Sequence, residues 1–365
     1  MRRPAHLLRL IVASLVVLAL PTPRAAQAAP LEQSAGSAPP PLPASSPGPA
    51  LETRAAVVID AATGAVLFEQ SAHERLPPAS LTKMATALVA VERGDPGQRI
   101  VATANSMAEP TAIGLEPGDR LPLSEALYGM LLNSGNDAAL AIAETLGDGS
   151  IARFVGWMNT LVASLGLVDT RFANPHGLDV GQHYSSAYDM ALIGRALLRQ
   201  PLLRSIVGTQ HHEYNGPPVW AFHNINPFLT AYQGADGIKT GYETRAGHTL
   251  AASATRDGRE VIAVVLNSQR YVADGAALLD YGFARLASMA ATSTTDPTSG
   301  PRPGRVERLL ASATGRPTIA AAERSYLRSA LRPELRILDD DPGLLAGPSS
   351  VYERLRAAAS MHGHQ

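Results

Sequence analysis

Strand-like apolar runs stand at both ends of one long helical stretch, and this order constrains the fold more than any other feature of the chain. Ala55–Ile59 and Ala65–Glu69 are apolar and flank turn residues at Ala62-Thr63-Gly64. Far downstream, Thr249–Thr255 and Glu260–Asn267 flank Arg256-Asp257-Gly258-Arg259, where Asp-Gly is a strong hairpin signal. Between the two pairs, from Ser124 to about Gln200, Leu and Ala recur at three- and four-residue spacings, the period of helices packed on a core. The loop Phe172–Asp179 interrupts this block, and a final helix is predicted over about Ala273–Ala287. Strands, a helical block, strands and a closing helix do not alternate as βαβ units. They predict an α+β fold: an antiparallel sheet covered by helices.

The termini read differently. Arg2 and Arg3 precede an apolar run, Leu10 to Leu20, interrupted only by Ser14, and Ala26-Gln27-Ala28 has the small-x-small pattern of a cleavage site. Residues 1–28 are therefore expected to be a secretory signal peptide, cut near Ala28, which predicts export to the periplasm or cell envelope. Residues 29–50, rich in Pro, Ala and Ser, are expected to be a linker, and 51–290 the folded domain. Residues 291–365 read as a second linker and a poorly defined tail. The tail carries no sustained amphipathic helix, so peripheral membrane contact is not evident there.

A formal net charge of −1 supplies no basic field for nucleic acid. The absence of cysteine excludes disulfides and thiol catalysis. His211-His212 and His362-x-His364 lack the spacing and partners of a metal site, and nothing in the chain calls for a cofactor.

The chain holds 31 basic residues, yet only Lys83 and Lys239 are lysines. Arginine serves wherever a generic positive charge suffices, so the two lysines mark places that need an amine able to lose its proton. Lys83 closes Ser80-Leu81-Thr82-Lys83, at the start of a helical run that follows Pro77-Pro78 and extends to about Glu92. Three residues apart on a helix, the amine of Lys83 can reach the hydroxyl of Ser80. A serine alcohol needs a neighbour to take its proton, and a lysine can do so when burial or a second cation depresses its pKa. Lys239 can supply that second charge. The helix start beside Ser80 offers backbone N–H donors to a developing oxyanion. Ser134-Gly135-Asn136 stands between two helical runs; Ser134 can relay a proton and Asn136 can hold a substrate amide. Lys239-Thr240-Gly241 lies on a predicted strand, where Thr240 can bind an anionic group and Gly241 admits a close backbone.

Serine-x-x-lysine, serine-x-asparagine and lysine-threonine-glycine form a set shared by penicillin-binding proteins and class A β-lactamases. Ser80 and Ser134 are 54 residues apart, and Ser134 and Lys239 are 105 apart. From about Ala55 to Arg285 the chain resembles the low-molecular-mass penicillin-binding proteins, the serine-type D-alanyl-D-alanine carboxypeptidases. Pro78–Met84, Asn133–Ala138, Asn174–Asp179 and Asp236–Tyr242 carry the resemblance, with Ala246-Gly247 and Ala252–Ala254. It implies a five-stranded antiparallel sheet flanked by helices plus a helical subdomain, as in β-lactamases and transpeptidases, with the site between them. It implies a Ser80 acyl-enzyme that releases the terminal D-alanine of peptidoglycan pentapeptides, and inhibition by β-lactam antibiotics. It further implies oxyanion donors at Ser80 and Tyr242 and a carboxylate-binding arginine, for which Arg270 is the only arginine in the matching stretch Asn267–Asp274. The family's β-rich second domain and anchoring helix are not recognisable after residue 290.

Two other readings share these motifs. A class A-like β-lactamase needs a glutamate to activate the deacylating water, and none occurs between Phe154 and Gln200. A non-catalytic binder of muropeptides or β-lactams has no need of the complete residue set. His176 reads as a loop-stabilising residue, because Lys83 already fills the role of base.

Overall fold

The computed structural model describes residues 47–107 and 110–294. The predicted signal peptide, most of the first linker and the tail beyond 294 lie outside these residues.

The chain opens with β1 (Thr53–Asp60) and β2 (Val66–Gln70), joined where the Asp60 carboxylate accepts hydrogen bonds from the Ala62 N–H and the Thr63 hydroxyl. A 3₁₀ turn, Ala79–Leu81, leads into α1 (Thr82–Arg93). The helical block follows as α2 (Leu123–Leu132), α3 (Asn136–Leu146), α4 (Ile151–Ser164), α5 (Ala187–Leu198) and α6 (Pro201–Gly208). Ser150 and Ser186 cap α4 and α5, each accepting the backbone N–H three residues on. The chain then passes through the one-turn helix α7 (Phe228–Ala231), returns as strands β7 (Ala235–Glu243), β8 (Gly247–Arg256) and β9 (Arg259–Ser268), and ends on α8 (Tyr271–Thr294). Asp257 and Gly258, with φ of 50° and 73°, make the two-residue β8–β9 turn that the dipeptide predicts.

The five strands pair antiparallel in the order β2-β1-β9-β8-β7, which leaves β7 on an open edge. Both faces of the sheet are covered, so its central strands are continuously apolar. Val57, Ile59, Ile262, Val264 and Leu266 point into a core shared with α1, α5 and the rest of the helical block. Their neighbours Val58, Leu67, Val261, Ala263 and Val265 point the other way, against Leu278, Leu279 and Phe283 of α8.

Four short strands were not legible in the sequence. β3 (Arg99–Val101) pairs with β4 (Arg120–Pro122), and β5 (His211–Tyr214) pairs with β6 (Trp220–His223). Runs of three or four residues are too short to establish a period. The closing helix is also longer than predicted at both ends.

Candidate active site

Ser80, the predicted nucleophile, sits in the 3₁₀ turn just before α1, not on the α-helix itself. Ala79 takes a left-handed backbone (φ 48°), and three elements hold the turn. Thr249 on β8 donates its hydroxyl to the Pro78 carbonyl at 3.2 Å. On β7, a Cβ added at Gly241 lies 2.8 Å from the Ser80 nitrogen. In the loop after α4, a Cβ added at Gly177 lies 2.0 Å from the Ala79 oxygen. Glycine at 241 thus lets the edge strand lie against the serine backbone. Glycine at 177, with φ of 98°, lets the loop do the same from the other side.

Lys83 is fully buried, and its Nζ lies 2.9 Å from Ser80 Oγ. The amine also donates to Asn136 Oδ1 at 2.8 Å and to the His176 carbonyl at 2.7 Å. These last two partners only accept. A neutral lysine amine has two N–H groups for them, and its lone pair then faces the Ser80 hydroxyl, which becomes the donor. Burial pushes the Lys83 pKa well below the usual lysine range, and Lys239 pushes it further down; Glu243 and Asp137 pull it partly back. Lys239 is also buried, donates to the Thr240 carbonyl at 2.8 Å, and is pushed down to about 7 by burial.

Asn136 is the first residue of α3, and Ser134 stands just before it in the turn from α2. Ser134 has a left-handed backbone (φ 62°) and is buried. Asp137 fixes this turn. Its carboxylate accepts the N–H groups of Ile113, Gly114 and Leu115 at 3.0 Å each and that of Ala138 at 2.8 Å. The sequence marks Asp137 only as the residue after the motif; its anchoring role depends on a loop more than twenty positions upstream.

The loop Asn174–Asp179 closes the site through its backbone. Asn174 Oδ1 accepts the Gly177 N–H at 2.7 Å, and His176 Nδ1 accepts the Leu178 N–H at 3.1 Å. His176 is held neutral: burial, then Lys83, then His183 push its pKa down to about 3. His183 Nδ1 accepts the Ala173 N–H at 3.0 Å, which leaves its Nε2–H to donate to the Thr82 hydroxyl at 2.8 Å. Burial pushes His183 down to about 4. His176 is thus a loop-stabilising residue that also lends its carbonyl to Lys83.

Thr240 and Tyr242 lie on β7, on either side of Gly241. Tyr242 is 59% exposed, and its ring rests on His248, which in turn stacks on Tyr271. Arg270 stands apart. Its guanidinium pairs with Glu52 at 3.2 Å, beside β1, with β9 and β8 between it and the β7 edge. Both side chains are about half exposed, and such a pair is worth at most about 1 kcal/mol, so Arg270 is readily drawn to another anion.

A serine hydroxyl on a buried lysine amine, between an antiparallel sheet and a helical subdomain, is the architecture of serine hydrolases that use lysine as base. The profile of the D-alanyl-D-alanine carboxypeptidase family, peptidase S11, matches residues 43–270. The chain belongs to that family. It is 38% identical over 246 residues to the D-alanyl-D-alanine carboxypeptidase DacF of Bacillus subtilis, an alignment covering 64% of this chain and 63% of that protein. It is likewise 38% identical over 251 residues to DacA of Escherichia coli K12, covering 64% of this chain and 62% of that one. The chain therefore spans less than two thirds of the length of these curated relatives. Among solved structures, a mutant of the Streptomyces K15 DD-transpeptidase superposes with a TM-score of 0.60 at 29% identity, over 65% of this chain and 99% of that one. The D-alanyl-D-alanine carboxypeptidase of Mycobacterium tuberculosis H37Rv superposes with a TM-score of 0.60 at 32% identity, over 69% and 96%.

Proposed function

We propose that this protein is an exported serine D-Ala-D-Ala carboxypeptidase that trims the terminal D-alanine from peptidoglycan pentapeptides and is acylated by penicillin. The observation that carries this reading is the Lys83 amine, 2.9 Å from Ser80 Oγ, with two acceptors taking its N–H groups. Family membership and the names of the relatives support the substrate class.

In this reading the substrate adds as an extended strand along the open edge of β7. Its terminal carboxylate lies towards Lys239 and Thr240, with Arg270 released from Glu52 as a further cation. Lys83 takes the Ser80 proton as Oγ bonds to the penultimate carbonyl carbon. The N–H groups of Ser80 and Tyr242 receive the oxyanion. As the C–N bond breaks, the proton passes from Lys83 through Ser134 to the leaving amine, and free D-alanine departs. Water then attacks the Ser80 ester. Its proton returns through Lys83 to Oγ, which releases the shortened peptide. Asn136 holds the substrate amide as well as Lys83.

The test is incubation of residues 29–365 with a peptide ending in D-Ala-D-Ala. D-Alanine is released, penicillin adds one acyl group at Ser80 by mass spectrometry, and Ser80→Ala abolishes both. Turnover by a folded Ser80→Ala protein at the wild-type rate would refute the mechanism.

A further inference from the structure

On β7, side chains alternate between the two faces of the sheet, so Glu243 shares its face with Lys239 and Gly241. That is the face on which Gly241 meets the Ser80 nitrogen. Glu243 is partly buried, and among the described residues its carboxylate has no hydrogen bond and no ion pair. Its anionic neighbour, Asp179, is already paired with Arg245 at 3.0 Å. That pair ties the Asn174–Asp179 loop to the β7–β8 turn and leaves Glu243 beside them without a direct ion-pair partner among the described residues. Burial pushes the Glu243 pKa up, the Lys83 charge opposes this, and Asp179 adds a smaller rise.

The polarity of the bound peptide decides what meets this carboxylate. Lys239 and Thr240 take the leaving residue's carboxylate, and the scissile carbonyl lies between Ser80 and Gly241-Tyr242. The acyl side of the peptide therefore continues towards Glu243. Two strand positions beyond Gly241 is about 7 Å, the reach of the next residue upstream and its side chain. We infer that Glu243 is a specificity-determining residue that recognises a primary ammonium on the residue preceding D-Ala-D-Ala. This rests on the carboxypeptidase reading above. The carboxylate, costly to leave unpaired where it stands, gains its counter-ion when such a peptide binds.

The experiment compares two peptides, acetyl-Lys-D-Ala-D-Ala with its side-chain amine free and the same peptide with that amine acetylated. Wild-type kcat/KM favours the free amine by about fivefold, ~1 kcal/mol at 1.4 kcal/mol per tenfold, and the preference shrinks as salt is added. In Glu243→Gln the ratio falls to about one, and in Glu243→Lys it inverts. Because the ratio is taken within one enzyme, any shared change in Lys83 proton affinity cancels. A wild-type ratio at or below one, or a ratio that survives in Glu243→Gln, overturns the inference while D-alanine release upholds the carboxypeptidase. Failure of the folded wild type to cut either peptide brings down both.

Discussion

Replacing Lys83 by arginine separates the charge of this side chain from its ability to lose a proton. All three Lys83 partners are oxygens at 2.7–2.9 Å, and a guanidinium has donors enough for each. What it lacks is a lone pair, because its pKa exceeds about 12. General-base help of this kind is worth about 10²–10⁴ in rate, or ~2.7–5.5 kcal/mol of barrier. A permanent charge in a site with no solvent exposure adds to the loss. Lys239→Arg is milder, because there the cation acts by its charge on the substrate carboxylate and on Lys83. The assay is the second-order rate of labelling by a fluorescent penicillin, with circular dichroism to confirm folding. Lys83→Arg is expected to lose at least about tenfold more than Lys239→Arg, ~1.4 kcal/mol of barrier. If a folded Lys83→Arg protein labels as fast as wild type, Lys83 is not the base and the mechanism is wrong.

Acylation is expected to follow a bell-shaped pH profile, rising as Lys83 gives up its proton and falling as Lys239 loses its own near its pKa of about 7. Lys239→Arg holds its charge and should abolish the alkaline limb; a limb that persists assigns it elsewhere. Stability should fall in acid. His176 and His183 are held neutral with pKa values of about 3 and about 4, below the unfolded value of about 6.5. From about pH 6.5 down to 3 the unfolded chain binds protons that the native one refuses, at a cost on the order of several kcal/mol for the two. Urea titrations between pH 7 and 4 measure this, and His183→Gln should flatten the slope. Gly177→Ala places a Cβ 2.0 Å from the Ala79 oxygen at a φ of 98°. It should cost roughly 1–3 kcal/mol or more in thermal unfolding and slow penicillin labelling; an unchanged rate would show that the loop does not set the nucleophile turn.

The serine–lysine pair of the candidate site was legible in the sequence because it is written in local terms. A chain that uses arginine for nearly every cation and lysine twice singles out two amines, and Ser80 and Lys83 meet through three-residue spacing alone. The order of strands and helices was legible for a related reason: apolar runs of five or more residues, and the Asp-Gly turn, are local patterns that tertiary packing amplified. Spacing could not show what is set by contacts distant in sequence. The His176 carbonyl on Lys83, the Asp137 carboxylate on Ile113–Leu115 and Gly177 against Ala79 join residues 22 to 98 positions apart. Arg270 is the arginine in the stretch that the resemblance matches, but the pairing order of the strands decides that its guanidinium meets Glu52. The sequence by itself picked out the serine, lysine and asparagine side chains that the fold brings together at the candidate site. Only the tertiary structure decided their proton affinities and their free neighbours, because burial and nearby charge are properties of the packed site and not of any segment in it.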